Sequence, residues 1–399
     1  MENLKKRARA ELTGNILPFW QGMLDRENGG FFGFADFYGR IDKTAPKGGI
    51  LNSRILWTFS AAARVTGDAG YLPYAEAALD FLEAAFYDGK YGGLFWEVDC
   101  RGGVISDKKQ FYNLAFGLYG LSEYARAGGG KKAPALKLAD SLFDVLETYA
   151  YDKKRGGYFD AAARDYKPLE DSSLSAKDFN CAKTMNTNLH ILEAYTNFAR
   201  ISERPKEPLR SLIEVTIDKI IEDGKRFRLF FDEDFTPLSR KISYGHDIEG
   251  AWLLREAAEV LGDESLLARA RETAASMAAE VYENGRDTER GGLFNEREEN
   301  GEICAAKAWW PQAEAVVGFC EAYGLTGGEK YLKAATEIFD YIDRVFIDKE
   351  RGEWHNEVDR DGAPDVNMEK AGFWKCPYHN GRMCLEIIER GGTFRGDAE

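Results

Sequence analysis

Three of the chain's four histidines stand in polar-aromatic strings: Met185-Asn186-Thr187-Asn188-Leu189-His190, Ser243-Tyr244-Gly245-His246-Asp247-Ile248-Glu249, and Trp374-Lys375-Cys376-Pro377-Tyr378-His379-Asn380-Gly381-Arg382. An imidazole with an ordinary pKa of about 6.5 takes and returns protons near neutrality. Each of the three has Asn, Glu, Arg or Trp within a few residues, groups that orient an imidazole or hold a sugar. A chain so poor in histidine that frames three of them alike reads as a proton-transfer enzyme. His355, in Glu353-Trp354-His355-Asn356-Glu357, is read as structural.

The neighbours refine that chemistry. His246 and Glu249 are three residues apart at the start of a helical stretch over 247–261, on one face of its first turn. A carboxylate beside an imidazole fixes its tautomer and raises its basicity. His190 falls early in a helix over 184–200, with Asn186 one turn before it and Asp178 in the preceding loop, both suited to sugar hydroxyls. His379 follows Pro377-Tyr378 at a helix start, with Asn380, Arg382 and Trp374 close by. Trp309-Trp310 opens a helix running to Tyr323. Indoles stack on the C–H faces of pyranose rings and keep an N–H for hydroxyls, and two adjacent ones cannot both face one core. Arg54 interrupts an apolar helix face, where a guanidinium is rarely buried unpaired, so it is a candidate for a substrate oxygen. Dinucleotide, Walker, nucleophile-elbow and H-E-x-x-H signatures are missing, and the histidine spacings form no local ligand pair, so no metal is expected.

Glycine-aromatic strings punctuate the chain at Gly29-Gly30-Phe31-Phe32, Gly92-Gly93-Leu94-Phe95-Trp96, Gly156-Gly157-Tyr158-Phe159, Gly291-Gly292-Leu293-Phe294 and Gly352-Glu353-Trp354. Their first glycines are separated by 63, 64, 135 and 61 residues, so one member of the series falls within the long gap, at Arg226-Phe227-Arg228-Leu229-Phe230-Phe231. The strings read as short hairpins or extended loops whose glycines take backbone angles other residues resist. Between them apolar residues recur at helical spacing, as in Leu51-Ile55-Leu56-Phe59 and Leu189-Leu192-Tyr195-Phe198. Two helices per interval predict an all-α (α/α)6 barrel of about twelve helices, one domain over 1–399, with short hairpins and long loops at one rim. An open helical solenoid is the other arrangement such a repeat allows.

With 53 basic and 67 acidic residues the net charge is -14, which disfavours nucleic acid and anionic membranes as partners. Six cysteines without C-x-x-C spacing read as free thiols. The charged, amphipathic start and the lack of a stretch of about 18 apolar residues suggest a soluble cytoplasmic protein, monomeric or homodimeric, acting on a small saccharide.

These strings, with Asn52-Ser53-Arg54-Ile55-Leu56-Trp57-Thr58-Phe59-Ser60 and Lys307-Ala308-Trp309-Trp310-Pro311-Gln312-Ala313-Glu314, resemble the N-acylglucosamine 2-epimerase superfamily, most closely its cellobiose 2-epimerase branch. The resemblance implies the (α/α)6 barrel and reversible inversion at C2 of a reducing-end sugar without a redox cofactor. It also implies roles. His246, supported by Glu249, and His379 are the bases on opposite faces of C2; His190 acts at the ring oxygen or carbonyl; Arg54 stabilises the oxyanion. Tyr112, Asp178, Asn186, Trp309 and Trp374 contact the sugar. It leads one to expect a histidine at position 188, where this chain has Asn188. Cellobiose, converted to glucosyl-mannose, and related β-1,4-disaccharides are the substrates it favours. A mannose/glucose 2-epimerase and an aldose–ketose isomerase are the alternatives on the same site. More remote are a hydrolase using Asp178 and Glu249, and a non-catalytic sugar-binding toroid.

Overall fold

The computed structural model describes residues 1–175 and 179–391, so Asp178 lies outside the described residues. The described residues form twelve long helices: α1 (2–22), α2 (Gly49–Thr66), α3 (72–86), α4 (Phe111–Arg126), α5 (132–150), α6 (Met185–Ala199), α7 (206–220), α8 (Tyr244–Leu261), α9 (Glu264–Asn284), α10 (Trp309–Thr326), α11 (Glu329–Val345) and α12 (Tyr378–Arg390). The even helices pack in succession, and α12 packs on α2, so they close an inner ring. Each odd helix lies outside an even one, and α1 closes the outer ring against α12. Closure rules out the open solenoid.

The sequence explains the two rings. Every residue of α2 from Gly49 to Ala63 is buried, because one side of an inner helix faces the barrel axis and the other meets the outer ring. By contrast α11 buries Tyr331, Ala334, Ala335, Ile338, Phe339, Tyr341 and Ile342, a single stripe at i, i+3, i+4 and i+7, and leaves its charges to water. No helix among the described residues is long and apolar enough to cross a membrane.

The glycine-aromatic strings are hairpins, with bridges Leu24 to Phe31, Tyr87 to Leu94, Tyr151 to Tyr158, Arg286 to Leu293 and Ile347 to Trp354. The sixth, in the long gap, pairs Ile221 with Phe227. The residues just before an inner helix pair with a strand of the next repeat, as Lys47-Gly48 does with Glu97-Val98 and Lys307-Ala308 with Glu357-Val358. These pairings bring the N-terminal ends of the inner helices to one rim.

Two devices set the height of the inner helices, five of which have the first and four the second. A fully buried lysine reaches back to the aspartate of its hairpin: Lys47 to Asp25 at 2.7 Å, Lys109 to Asp88 at 3.0 Å, Lys183 to Asp152 at 2.8 Å, Lys307 to Asp287 at 2.7 Å, and Lys370 to Asp348. Removing one partner of such a buried pair costs about 3–5 kcal/mol. The fourth residue of four inner helices then clamps the hairpin backbone. Asn52, Asn188, Asp247 and Gln312 accept from Phe31 N (3.3 Å), Tyr158 N (2.9 Å), Phe227 N (2.7 Å) and Leu293 N (2.7 Å). Asn188 also donates to the Tyr158 and Thr184 carbonyls. Its departure from the expected histidine therefore bears on helix position, since both ends of its amide are committed to backbone.

Candidate active site

Five of the six inner helices have no side-chain N-cap bond, α6 with Thr184 being the exception. The positive ends of their dipoles converge on the rim and favour an anion there. The first two turns of these helices carry Arg54, Tyr112, Asn186, His190, His246, Glu249, Trp309 and His379. Ring contacts tie this set together: Tyr112 is 5.0 Å from His190 and 6.1 Å from Trp374, and Trp309 is 5.2 Å from His379. Trp310 lies between two of the imidazoles, its ring 4.6 Å from His246 and 5.5 Å from His379. Asn186 stands one turn before His190, its Oδ1 shielded from solvent and without a partner among the described residues.

Each imidazole has a different partner. His379 Nδ1 is 2.7 Å from Glu314 Oε1. That oxygen already accepts from Arg382 Nη2 at 2.7 Å, and Oε2 accepts from Trp252 Nε1 at 3.2 Å, so Nδ1 donates and Nε2 is left as the base. His190 Nδ1 bonds Glu193 Oε2 at 2.8 Å. His246 Nδ1 meets a hydroxyl, Ser243 Oγ, at 2.8 Å. Burial, with the His190 charge acting in the same direction, pushes the His246 pKa down to about 3. Burial and the nearby Arg382 guanidinium hold His379 well below the ordinary imidazole range. Both are therefore neutral, and able to accept a proton, at neutral pH.

The carboxylate support differs from the expectation. Glu249 does not pair with His246. Its side chain turns toward the barrel axis, where Oε1 accepts from Arg382 and lies 3.9 Å from His379 Nδ1. Sequence spacing set both residues on one helix face, but the fully buried Arg382 on a facing helix draws the carboxylate inward. Arg382 bonds Glu193, Glu249, Glu314 and Tyr378 at once. Burial alone would raise Glu193, yet Arg382 and the donors His190 and Tyr378 hold it down to about 2. Glu249 is pushed up to about 7 by burial and then by the Glu314 charge, against the pull of Arg382. Sequence reasoning gave Glu193 and Glu314 no role. The i,i+3 spacing of His190 and Glu193 offered a signal; the contact of Glu314 with His379, between helices, offered none.

Glu249, Glu314 and His379 bring ligand-type atoms within 4.8 Å of one another, a grouping from three helices that local spacing hides. Arg382 donates to both carboxylates, so the guanidinium is the cation at this point.

Arg54 is only 2% exposed and forms no ion pair among the described residues. It donates to Tyr112 Oη at 2.7 Å and lies over the Phe116 and Tyr378 rings at 4.1 and 4.7 Å. A buried cation held by phenol and aromatic faces retains attraction for an incoming anion. Trp309 is buried, whereas Trp374 is 37% exposed at the rim beside Trp96 and Phe373. His355 stacks on Phe37 instead. A cavity of about 660 Å³ opens at the other end of the barrel, lined by Arg64, Arg126, Arg255, Arg390 and by glutamates including Glu123 and Glu321. Those guanidinium groups are paired with the glutamates, which makes that end a ring of ion pairs.

Comparison with known proteins agrees with this geometry. The chain is 41% identical over 391 residues to a cellobiose 2-epimerase of Bacteroides fragilis, covering 97% of this chain and 99% of that protein. It is also 41% identical over 392 residues to one of Ruminococcus albus, covering 96% and 98%. The solved structure of cellobiose 2-epimerase from Bacillus thermoamylovorans superposes with a TM-score of 0.92 at 39% identity, covering 98% of this chain and 100% of that one. The family described as N-acylglucosamine 2-epimerase (GlcNAc 2-epimerase) matches residues 30–381, and the chain belongs to that family.

Proposed function

We propose that this protein inverts C2 of the reducing-end glucose of cellobiose and related β-1,4-disaccharides, giving glucosyl-mannose. In the opened sugar the C2 proton is acidic because the C1 carbonyl takes the electron pair as an enediolate. One imidazole removes that proton and the charge moves to O1. The other imidazole relays a proton from water to the opposite face of C2, the carbonyl reforms, the ring closes, and the first imidazole returns its proton to water. Nothing is oxidised or reduced overall.

His379 and His246 are the two bases, both in ring contact with Trp310. The Glu314 carboxylate steadies the imidazolium that forms on His379. His190, held by Glu193, serves the ring oxygen or carbonyl during opening and closing. Tyr112, Asn186 and Trp309 position the reducing sugar, and Trp374 offers its half-open face to the second one. Asp178 completes the proposed sugar contacts.

The observation that carries this reading is Arg54, a buried guanidinium without a carboxylate among the described residues, whose charge reaches the His379 imidazole. It suits a negative charge that develops on O1. A hydrolase would need two carboxyl groups free to flank a glycosidic bond. Glu193, Glu249 and Glu314 are instead all engaged by Arg382. The test is proton and carbon NMR in heavy water with cellobiose and, separately, mannose. Deuterium at C2 of a new mannose-type reducing end from cellobiose supports the proposal. Exchange with mannose alone moves the activity to a monosaccharide epimerase, fructose as the main product to an aldose–ketose isomerase, and free glucose from cellobiose to a hydrolase.

A further inference from the structure

The last hairpin of the chain, which bridges Ile347 to Trp354, breaks the pattern of the others. Where four of them have a second glycine, it has Glu353, whose φ of 62° lies in the left-handed region that glycine favours. In three hairpins a Cβ added at that glycine would crowd the helix clamp: it would lie 2.9 Å from Asn52 Oδ1 at Gly30, 3.0 Å from Asn188 Oδ1 at Gly157 and 2.8 Å from Gln312 Oε1 at Gly292. In α12 the clamp position is Gly381, which has no side chain to fill that space. The clamp is therefore reversed, and the hairpin reaches for the helix.

Glu353 is fully buried and meets donors on every side. Its Oε1 accepts from Lys375 Nζ at 2.6 Å, Asn380 Nδ2 at 2.6 Å and Trp354 N at 2.9 Å, and its Oε2 from Trp20 Nε1 at 2.5 Å. Trp20 belongs to α1 and Asn380 to α12, so the carboxylate sits at the seam where the first and last helices close the barrel. Lys375 and Asn380 bracket His379 in sequence. The Lys375 ammonium lies 4.3 Å from the Trp309 ring centre, and Trp309 packs edge-on against His379. Left-handed strain at a buried non-glycine residue persists where the surroundings over-determine it, often beside functional groups.

We infer that Glu353 is a positioning residue for His379. It fixes the first turn of α12 through Asn380 and braces Trp309 through Lys375, holding one of the two bases at C2 without touching substrate. This rests on the two-base reading given above. The test compares Glu353→Gly, which suits the backbone angle, and Glu353→Gln, which keeps the size, with the wild type in heavy water. Deuterium entry at C2 is followed from each epimer separately, and folding is checked by thermal unfolding. The expected result is at least a ten-fold fall in kcat, with C2 exchange slowed at least five-fold more in one epimer than in the other. Equal slowing of both epimers, or kcat within two-fold of wild type in either folded variant, overturns the inference. If the wild type itself exchanges no C2 proton, the two-base reading fails instead.

Discussion

Replacing Glu314 by Gln removes the charge behind His379 while keeping an oxygen that accepts from Nδ1. The tautomer is preserved and only the stabilisation of the imidazolium is lost. A hydrogen bond to a charged group contributes about 1.5–3 kcal/mol. The Coulomb attraction of a close pair, about 4 kcal/mol at an effective dielectric of 20, is partly cancelled here because Arg382 shares the same oxygen. The lower range therefore governs, and kcat should fall by about 10- to 100-fold. A second signature follows from Glu249, which is raised to about 7 first by burial and then by the Glu314 charge. Without that charge its titration moves to lower pH, and any inflection near 7 in the pH profile of kcat should move with it. Turnover is read by NMR of the two epimers between pH 4 and 9, with unfolding temperature as the control. A folded variant with kcat within two-fold of wild type would refute the assigned role of Glu314.

Arg54→Met should lower kcat by 100-fold or more while leaving the unfolding temperature unchanged or higher, because it removes a buried charge without a carboxylate partner among the described residues; a clear loss of stability in a calorimetric scan would count against the reasoning. Trp374→Ala should raise KM for cellobiose about ten-fold and for mannose less than two-fold, since the exposed indole stands at the rim; equal effects would deny it a role at the second sugar. Burial raises Glu321 to about 7 against the pull of Arg255, so its ionisation destabilises the fold as pH rises from its unfolded value near 4.5 through 7. Glu321→Gln should thus gain about 3 kcal/mol on wild type between pH 4.5 and 8 in denaturant unfolding, and a gain with the opposite pH trend would contradict the shift.

The barrel was legible because its signals are local. Glycine-aromatic strings at a steady period mark the hairpins, and even the divergent Arg226-Phe227 member could be placed by counting. Most of the candidate residues were legible for the same reason, each standing in the first turns of an inner helix. The partnerships were not. Arg382 joins three carboxylates from three other helices, and the rotation of each helix about its axis decides which carboxylate meets which imidazole. Glu249 was assigned to His246 from spacing alone, whereas the contact made is with Arg382. Asn188 stood out in sequence because the resemblance leads one to expect a histidine there, whereas its side chain is a backbone clamp.

The central claim is that His246 and His379 work on opposite faces of C2. It is tested most directly by preparing His246→Gln and His379→Gln and following deuterium entry at C2 of each epimer in heavy water. The account predicts that neither variant interconverts the epimers at more than about one-hundredth of the wild-type rate. Each should still exchange the C2 proton of one epimer, and the epimer should differ between the two variants. Loss of exchange in both epimers by both variants, or continued epimerisation by either, would contradict it.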